Sequence, residues 1–184
     1  MISLEKLFET IKNHKIKLTE NDIFNFIKNR KRWPRHYSWS QPTIEFINSE
    51  SIGSQENIFD IDNYINFDEW LKIYNLGYTS VISNVLDLNE NLRNLNNKIK
   101  NIFGKFICGN FYINNGKKNF NPSWKLHAHD YDVIVKMIYG KCEWQINDIK
   151  EVFNHKNTIY ISKNVPHAVL KIIKPKLSLT LNII

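Results

Sequence analysis

Between residues 3 and 13 apolar side chains recur at Leu4, Leu7, Phe8 and Ile11, and between 20 and 31 at Ile23, Phe24, Phe26 and Ile27. This spacing puts them on one face of a helix, so two amphipathic helices are predicted, the second capped by Thr19. From Trp33 to Asn63 the pattern breaks, with Pro34, Pro42 and Gly53 among Ser, Gln and Asn. That stretch reads as a surface excursion with room for one short strand. Asn66-Phe-Asp-Glu69 has the form of a capping box opening a helix that Gly77 ends, and Thr79 to Val85 follows as a buried strand. A further helix runs from about Asn89 to Phe103 and stops at Gly104. Beyond it the period falls to two: Phe106 to Ile113, Trp124 to His129, Asp132 to Ile138, Cys142 to Ile146, Thr158 to Ser162, Ala168 to Ile173 and Leu177 to Ile183. Seven short strands predict a double-sheet barrel.

The fold class expected is therefore mainly β with N-terminal helices. With 184 residues and 42% hydrophobic composition the chain suits a single domain, 1–184. Residues 1–105 form a mostly helical part packed on the outside of the barrel, and 106–184 form the barrel core. No internal repeat interrupts this division. The formal charge of +7 is nearly all lysine in a chain crowded with Asn and Ile. An AT-rich coding sequence produces such usage without any acidic partner. Cys108 and Cys142 are the two cysteines, too few for a disulfide framework and not paired as CxxC. A reducing, cytoplasmic setting is expected. No run of eighteen apolar residues occurs, and no membrane association is expected.

Against this background His127-Ala-His129 stands out, with Val165-Pro166-His167 following. Two histidines one residue apart on a strand send their imidazoles to the same side, and His167 on a later strand can close a three-point cup around a metal. Three ligands on one face leave positions open for O2 and a substrate, the geometry of non-haem Fe(II) oxygenases. The competing reading, polar residues on exposed strand faces, suits a lone histidine better than this trio. His14, His36 and His155 lack such company and are read as surface residues. Alternation turns Asp130 and Asp132 away from the histidine wall, and places Val133 and Val135 on it with Lys136 outside.

From about Ile65 onward the chain resembles the JmjC-type, cupin-fold Fe(II) and 2-oxoglutarate oxygenases that include the ribosomal protein hydroxylases. The resemblance rests on an ordered series of blocks: Gly77-Tyr-Thr79-Ser-Val-Ile, Ile102-Phe-Gly104, Asn110-Phe-Tyr112-Ile and His127-Ala-His129-Asp-Tyr-Asp132-Val. It continues through Tyr139-Gly140-Lys-Cys-Glu-Trp144, Tyr160-Ile-Ser-Lys-Asn-Val-Pro166-His167 and Leu177-Ser-Leu-Thr-Leu-Asn-Ile183. It implies a double-stranded β-helix (cupin or jelly-roll) barrel, Fe(II) held by His127, His129 and His167, and hydroxylation of a protein or small-molecule substrate with 2-oxoglutarate as cosubstrate. Two positions depart from the family pattern. His129 stands where the family has an aspartate ligand, which raises the charge of the site by one unit and resembles three-histidine cupin dioxygenases. Cys142 stands where the family has a basic residue for the distal carboxylate of 2-oxoglutarate. Lys141 faces the opposite way in a regular strand, and Lys136 or Lys171 would need altered geometry. A three-histidine dioxygenase without 2-oxoglutarate, or a non-catalytic metal-binding cupin module, thus stays open.

Asn110, Tyr112 and Trp124 are placed at the pocket border as cofactor-binding candidates with Cys142. Each has an ordinary core role as its alternative. Arg30, Arg32 and Arg35 lie among Trp33, Tyr37 and Trp39. They read either as a helix end favouring cations or as a docking patch for RNA or an acidic surface. A homodimer is compatible with all of this.

Overall fold

The N-terminal helical spacing is realised as α1 (Leu4–Asn13) and α2 (Glu20–Asn29) in a computed structural model that describes residues 4–29, 44–47, 58–59, 65–104, 107–117 and 125–184. At the start of α2 the Asp22 backbone N–H donates to Thr19 Oγ1 (3.2 Å), while the Thr19 N–H and hydroxyl donate to Asp22 Oδ2 (2.7 and 2.8 Å). This reciprocal cap satisfies end groups that the helix leaves unpaired, and its hydrogen bonds hold the Asp22 carboxyl below the usual range. Asn66 caps α3 (Phe67–Asn75) by accepting from the Glu69 N–H at 3.2 Å. Asn89 does the same for α4 (Glu90–Phe103), accepting from the Leu92 N–H at 2.8 Å. The Asn66 cap falls where the sequence predicts it, and Asn89 stands at the predicted start of its helix.

Seven strands form one antiparallel system: β1 (Ile44–Ile47), β2 (Thr79–Ile82), β3 (Cys108–Asn114), β4 (Asp132–Ile146), β5 (Ile149–Asn154), β6 (Thr158–Ile161) and β7 (His167–Ile183). Their order is β1-β2-β3-β7-β4-β5, with β6 also paired to β4. The molecule is a barrel of mostly antiparallel sheet with helices at the N-terminal end. Its helical half does more than pack outside, because β1 and β2 extend the sheet from β3.

Three strand predictions are corrected. The strands predicted at 132–138 and 142–146 are one, as are those at 168–173 and 177–183. β4 and β7 pair along their whole length, but neither Gly140 nor Pro175 has a partner in the ladder, and the register shifts around them. Pro175 therefore needs no N–H where it stands, and the break in periodicity marks a bend rather than a loop. The second correction concerns 124–129. His127 makes only an isolated bridge to His167, and the residues after it are irregular up to Asp132. Trp124 lies outside the described residues. The third is β5, which follows a tight turn at Asn147 (φ +52°) and carries exposed Ile149 and Val152. Its weak alternation hid it.

The sheet is patterned oppositely on its two faces. Phe46, Ile82, Phe111, Leu177, Leu179 and Leu181 face the helices and join Leu7, Ile11, Trp70 and Tyr74 in the main core. Trp70 is fully buried, stacks on Tyr74 (5.1 Å between rings, 10° between planes) and donates its Nε1–H to Ser80 Oγ at 3.0 Å. A large aromatic buried with its polar atom satisfied contributes ~3–5 kcal/mol relative to alanine. Inside the barrel a smaller cluster holds Val133, Val135, Cys142, Trp144, Phe153 and Val169.

Candidate metal centre and cavity

The three histidines come together although only His167 lies in a regular strand. The His127 and His167 backbones exchange hydrogen bonds (N–H to O, 3.2 and 2.8 Å), which pins the 127 segment to the start of β7. Asn164, with φ +64°, donates its N–H to the His129 carbonyl at 2.6 Å and holds the next turn. Ring centroids are 4.9 Å apart for His127 and His129, 4.6 Å for His127 and His167, and 5.2 Å for His129 and His167.

One ring nitrogen from each lies within 4.8 Å of the others. Three points so spaced fit within about 2.8 Å of a common centre, roughly 0.7 Å beyond an imidazole–metal bond, so small ring rotations complete the set. His127 Nδ1–H donates to the Lys125 carbonyl and His167 Nδ1–H to the Val165 carbonyl, each at 2.8 Å. These bonds select the tautomer whose Nε2 carries a lone pair, the form a metal requires. His129 stacks on Tyr131 (4.7 Å, 10°) and His167 lies near-parallel to Trp144 (6.3 Å, 22°). Burial, reinforced by repulsion from His127 and His167, pushes the His129 pKa down to about 4, and burial also lowers that of His167. The rings of His129 and His167 are thus held neutral, and the three-histidine donor set fits a transition metal. Neither nearby aspartate joins it: Asp130 is exposed, and Asp132 accepts from the Lys163 N–H at 2.9 Å.

The histidines line a cavity of about 420 Å³. One wall is apolar, built from Val133, Val135 and Val169. The other is polar, because every second residue of β7 from Lys176 through Ser178 and Thr180 to Asn182 faces inward. Asn110 and Tyr112 line it from β3, as expected. Cys142 does not line it. It is wholly buried in the inner apolar cluster and accepts from Trp144 Nε1–H at 3.2 Å. The substitutes considered for its missing charge are also elsewhere: Lys136 donates to the Lys12 carbonyl of α1 at 2.8 Å, and Lys171 is exposed.

Besides exposed Lys125, the cavity is lined by Lys176, only 1% exposed and overlooked in the sequence. Its Nζ lies 6.0 Å from the centre of the Tyr112 ring, and burial pushes its pKa down. The signal was present in the alternation Lys176-x-Ser178-x-Thr180-x-Asn182, which reverses the usual expectation that apolar residues face inward. Arg30, Arg32 and Arg35 lie outside the described residues. No helix among the described residues is long and apolar enough to cross a membrane.

No family model matches the chain, and no curated protein matches it significantly in sequence. Among solved structures it is similar to a conserved protein of unknown function from Streptococcus pyogenes (15% identity, 43% of this chain and 65% of that one, TM-score 0.37). An RmlC-like cupin from Shewanella frigidimarina aligns at 9% identity over 42% of this chain and 65% of its own (TM-score 0.37). The DMSP lyase DddQ from Ruegeria pomeroyi aligns at 14% identity over 42% of this chain and 38% of its own (TM-score 0.37). Each match thus spans less than two thirds of the similar protein.

Proposed function

We propose that this chain is a non-haem Fe(II)-dependent oxygenase whose metal is held by His127, His129 and His167. One observation carries the reading: three imidazoles converge on one cavity, two of them with Nδ1 tied to a carbonyl and Nε2 left to bind. Iron bound there would supply O2 activation and Lewis acidity. The chain's residues supply the rest. The Lys125 and Val165 carbonyls orient two ligand rings, Trp144 and Tyr131 flank them, and the apolar wall keeps water from the space beside them. Substrate enters past exposed Lys125 and Leu126, and 2-oxoglutarate is the leading cosubstrate.

A second reading, direct binding of the substrate to the metal without 2-oxoglutarate, is favoured by the all-histidine donor set. Such a set leaves the full dipositive charge of the metal uncompensated and so attracts an anionic ligand. Anaerobic Fe(II) titration tests the centre. One Fe(II) per chain is expected, with affinity reduced at least tenfold in His127→Ala and His167→Ala. Equal iron retention by wild type and both variants, or none by any, ends the proposal. Within it, a visible charge-transfer band and succinate formation on adding 2-oxoglutarate identify the cosubstrate, and O2 uptake without either identifies direct substrate binding.

A further inference from the structure

Lys176 has the surroundings of a reactive amine. It is 1% exposed, it lines the cavity, and its Nζ makes no hydrogen bond or ion pair among the described residues. A buried ammonium with no anion beside it is unfavourable, and loss of its proton removes that penalty. The groups around it favour this outcome. The Tyr112 ring of β3 has its centre 6.0 Å from Nζ, the outer limit at which an aromatic face holds a cation. From β7 itself Ser178 and Thr180 bring neutral hydroxyls to the same wall. Burial lowers the Lys176 pKa, and the Cys142 thiol on β4 opposes this by a smaller amount. Glu45 and the three histidines also line the cavity, but Glu45 makes no ion pair with Lys176 among the described residues. The backbone beneath the amine is fixed. At Gly140 (φ +88°) an added Cβ would stand 2.1 Å from the Pro175 carbonyl oxygen and 2.5 Å from Lys176 Cα, so β7 lies directly on bare β4 backbone at this point. Lys125, also on the cavity, is exposed and has water for its charge.

We propose that Lys176 is a nucleophilic lysine that captures a small aldehyde or ketone in the cavity as an imine. The Nζ lone pair attacks the carbonyl carbon, the π pair of the C=O bond moves to oxygen, and a proton passes from nitrogen to that oxygen to give a carbinolamine. The C–O bond then breaks, its oxygen leaves as water with the second nitrogen proton, and the C=N bond forms. One amine and one carbonyl compound give one imine and one water, with no net oxidation or reduction. The hydroxyls of Ser178 and Thr180 are donors on the same wall for the departing oxygen, and Val133, Val135 and Val169 offer an apolar wall to the carbon skeleton. The volume of about 420 Å³ lies at the small end of ligand cavities, ~300–1,000 Å³. None of these steps draws on the histidine centre, so the proposal does not rest on the oxygenase reading.

The test incubates the full chain with butanal and sodium cyanoborohydride, which reduces an imine to a stable secondary amine, and locates the adduct by peptide mass spectrometry. At pH 7 Lys176 is expected to be alkylated at least tenfold faster than Lys171 and Lys174, exposed lysines of the same strand. The ratio should grow as pH falls from 9 to 6. An exposed lysine loses about tenfold in free amine per unit below its pKa of ~10.4, whereas an amine of lowered pKa stays free to a lower pH. Without the reductant, dialysis should return the native mass, since an imine hydrolyses. In Lys176→Arg the cavity adduct should vanish, with labelling of Lys171 and Lys174 unchanged. Alkylation of Lys176 no faster than of Lys171 and Lys174, a ratio that does not rise toward acid pH, or a mass gain that survives dialysis without reductant overturns the proposal. Labelling is read on chain with no added metal, so failure to bind iron sinks the oxygenase alone and failure to label Lys176 sinks the imine alone.

Discussion

His129 differs from its two partners in depending on neighbours rather than on a carbonyl for its state. Its pKa of about 4 in the folded chain compares with ~6.5 in an unfolded one. Between these values the unfolded chain takes up a proton that the folded chain refuses, so stability is fully present above pH ~6.5 and declines as pH falls toward 4. The lowered His167 pKa adds in the same direction. Urea unfolding of metal-free protein at pH 7 and pH 4.5 should show a lower midpoint at the acid value, and His129→Gln should flatten that difference. A midpoint unchanged between the two pH values would refute this. At the same scale the sequence already pointed to His127, His129 and His167 through residue type and spacing alone, because few arrangements other than a metal site use HxH with a distant third histidine. Lys176 showed only in the alternation of polar residues along β7, because a lysine in a strand is read as exposed until the strand on its far side is known.

The elements that decide the cavity are β4 and β7, each long and each bent at the same level. Gly140 is the hinge of that bend, and its positive φ and contact with Pro175 leave no space for a side chain. Gly140→Ala should destabilise the chain by on the order of 3 kcal/mol, read as a drop in urea midpoint. Leu179 is wholly buried against the helices, so Leu179→Ala should cost ~3 kcal/mol, read as a lower urea midpoint. Alternation made β7 visible as a strand. It did not reveal that β7 continues through Pro175, since a proline ordinarily ends a strand and is harmless here only because the register shifts where it stands.

For the whole molecule, metal binding and folding should be coupled, because the three proposed ligands come from the 127–129 segment and the start of β7 and meet only when the two are joined. At metal concentrations a hundredfold above Kd, Zn(II) should raise unfolding stability by ~2.7 kcal/mol in wild type and not in His127→Ala. Thermal melts with and without metal measure this. The helices, their caps, the barrel class and the three candidate ligands were determined by the sequence itself, since spacing, capping chemistry and ligand type act over a few residues and survive any arrangement of the rest. The tertiary structure decided what no local rule contains. It carried β1 and β2 into the barrel, turned the 127–129 segment out of a strand without separating its histidines, and buried Cys142 away from the cavity. It also made the inner face of β7 polar and buried Lys176 on it. Each of these depends on which strand lies opposite, and that pairing joins residues far apart in the chain, where burial and not periodicity sets what a side chain can do.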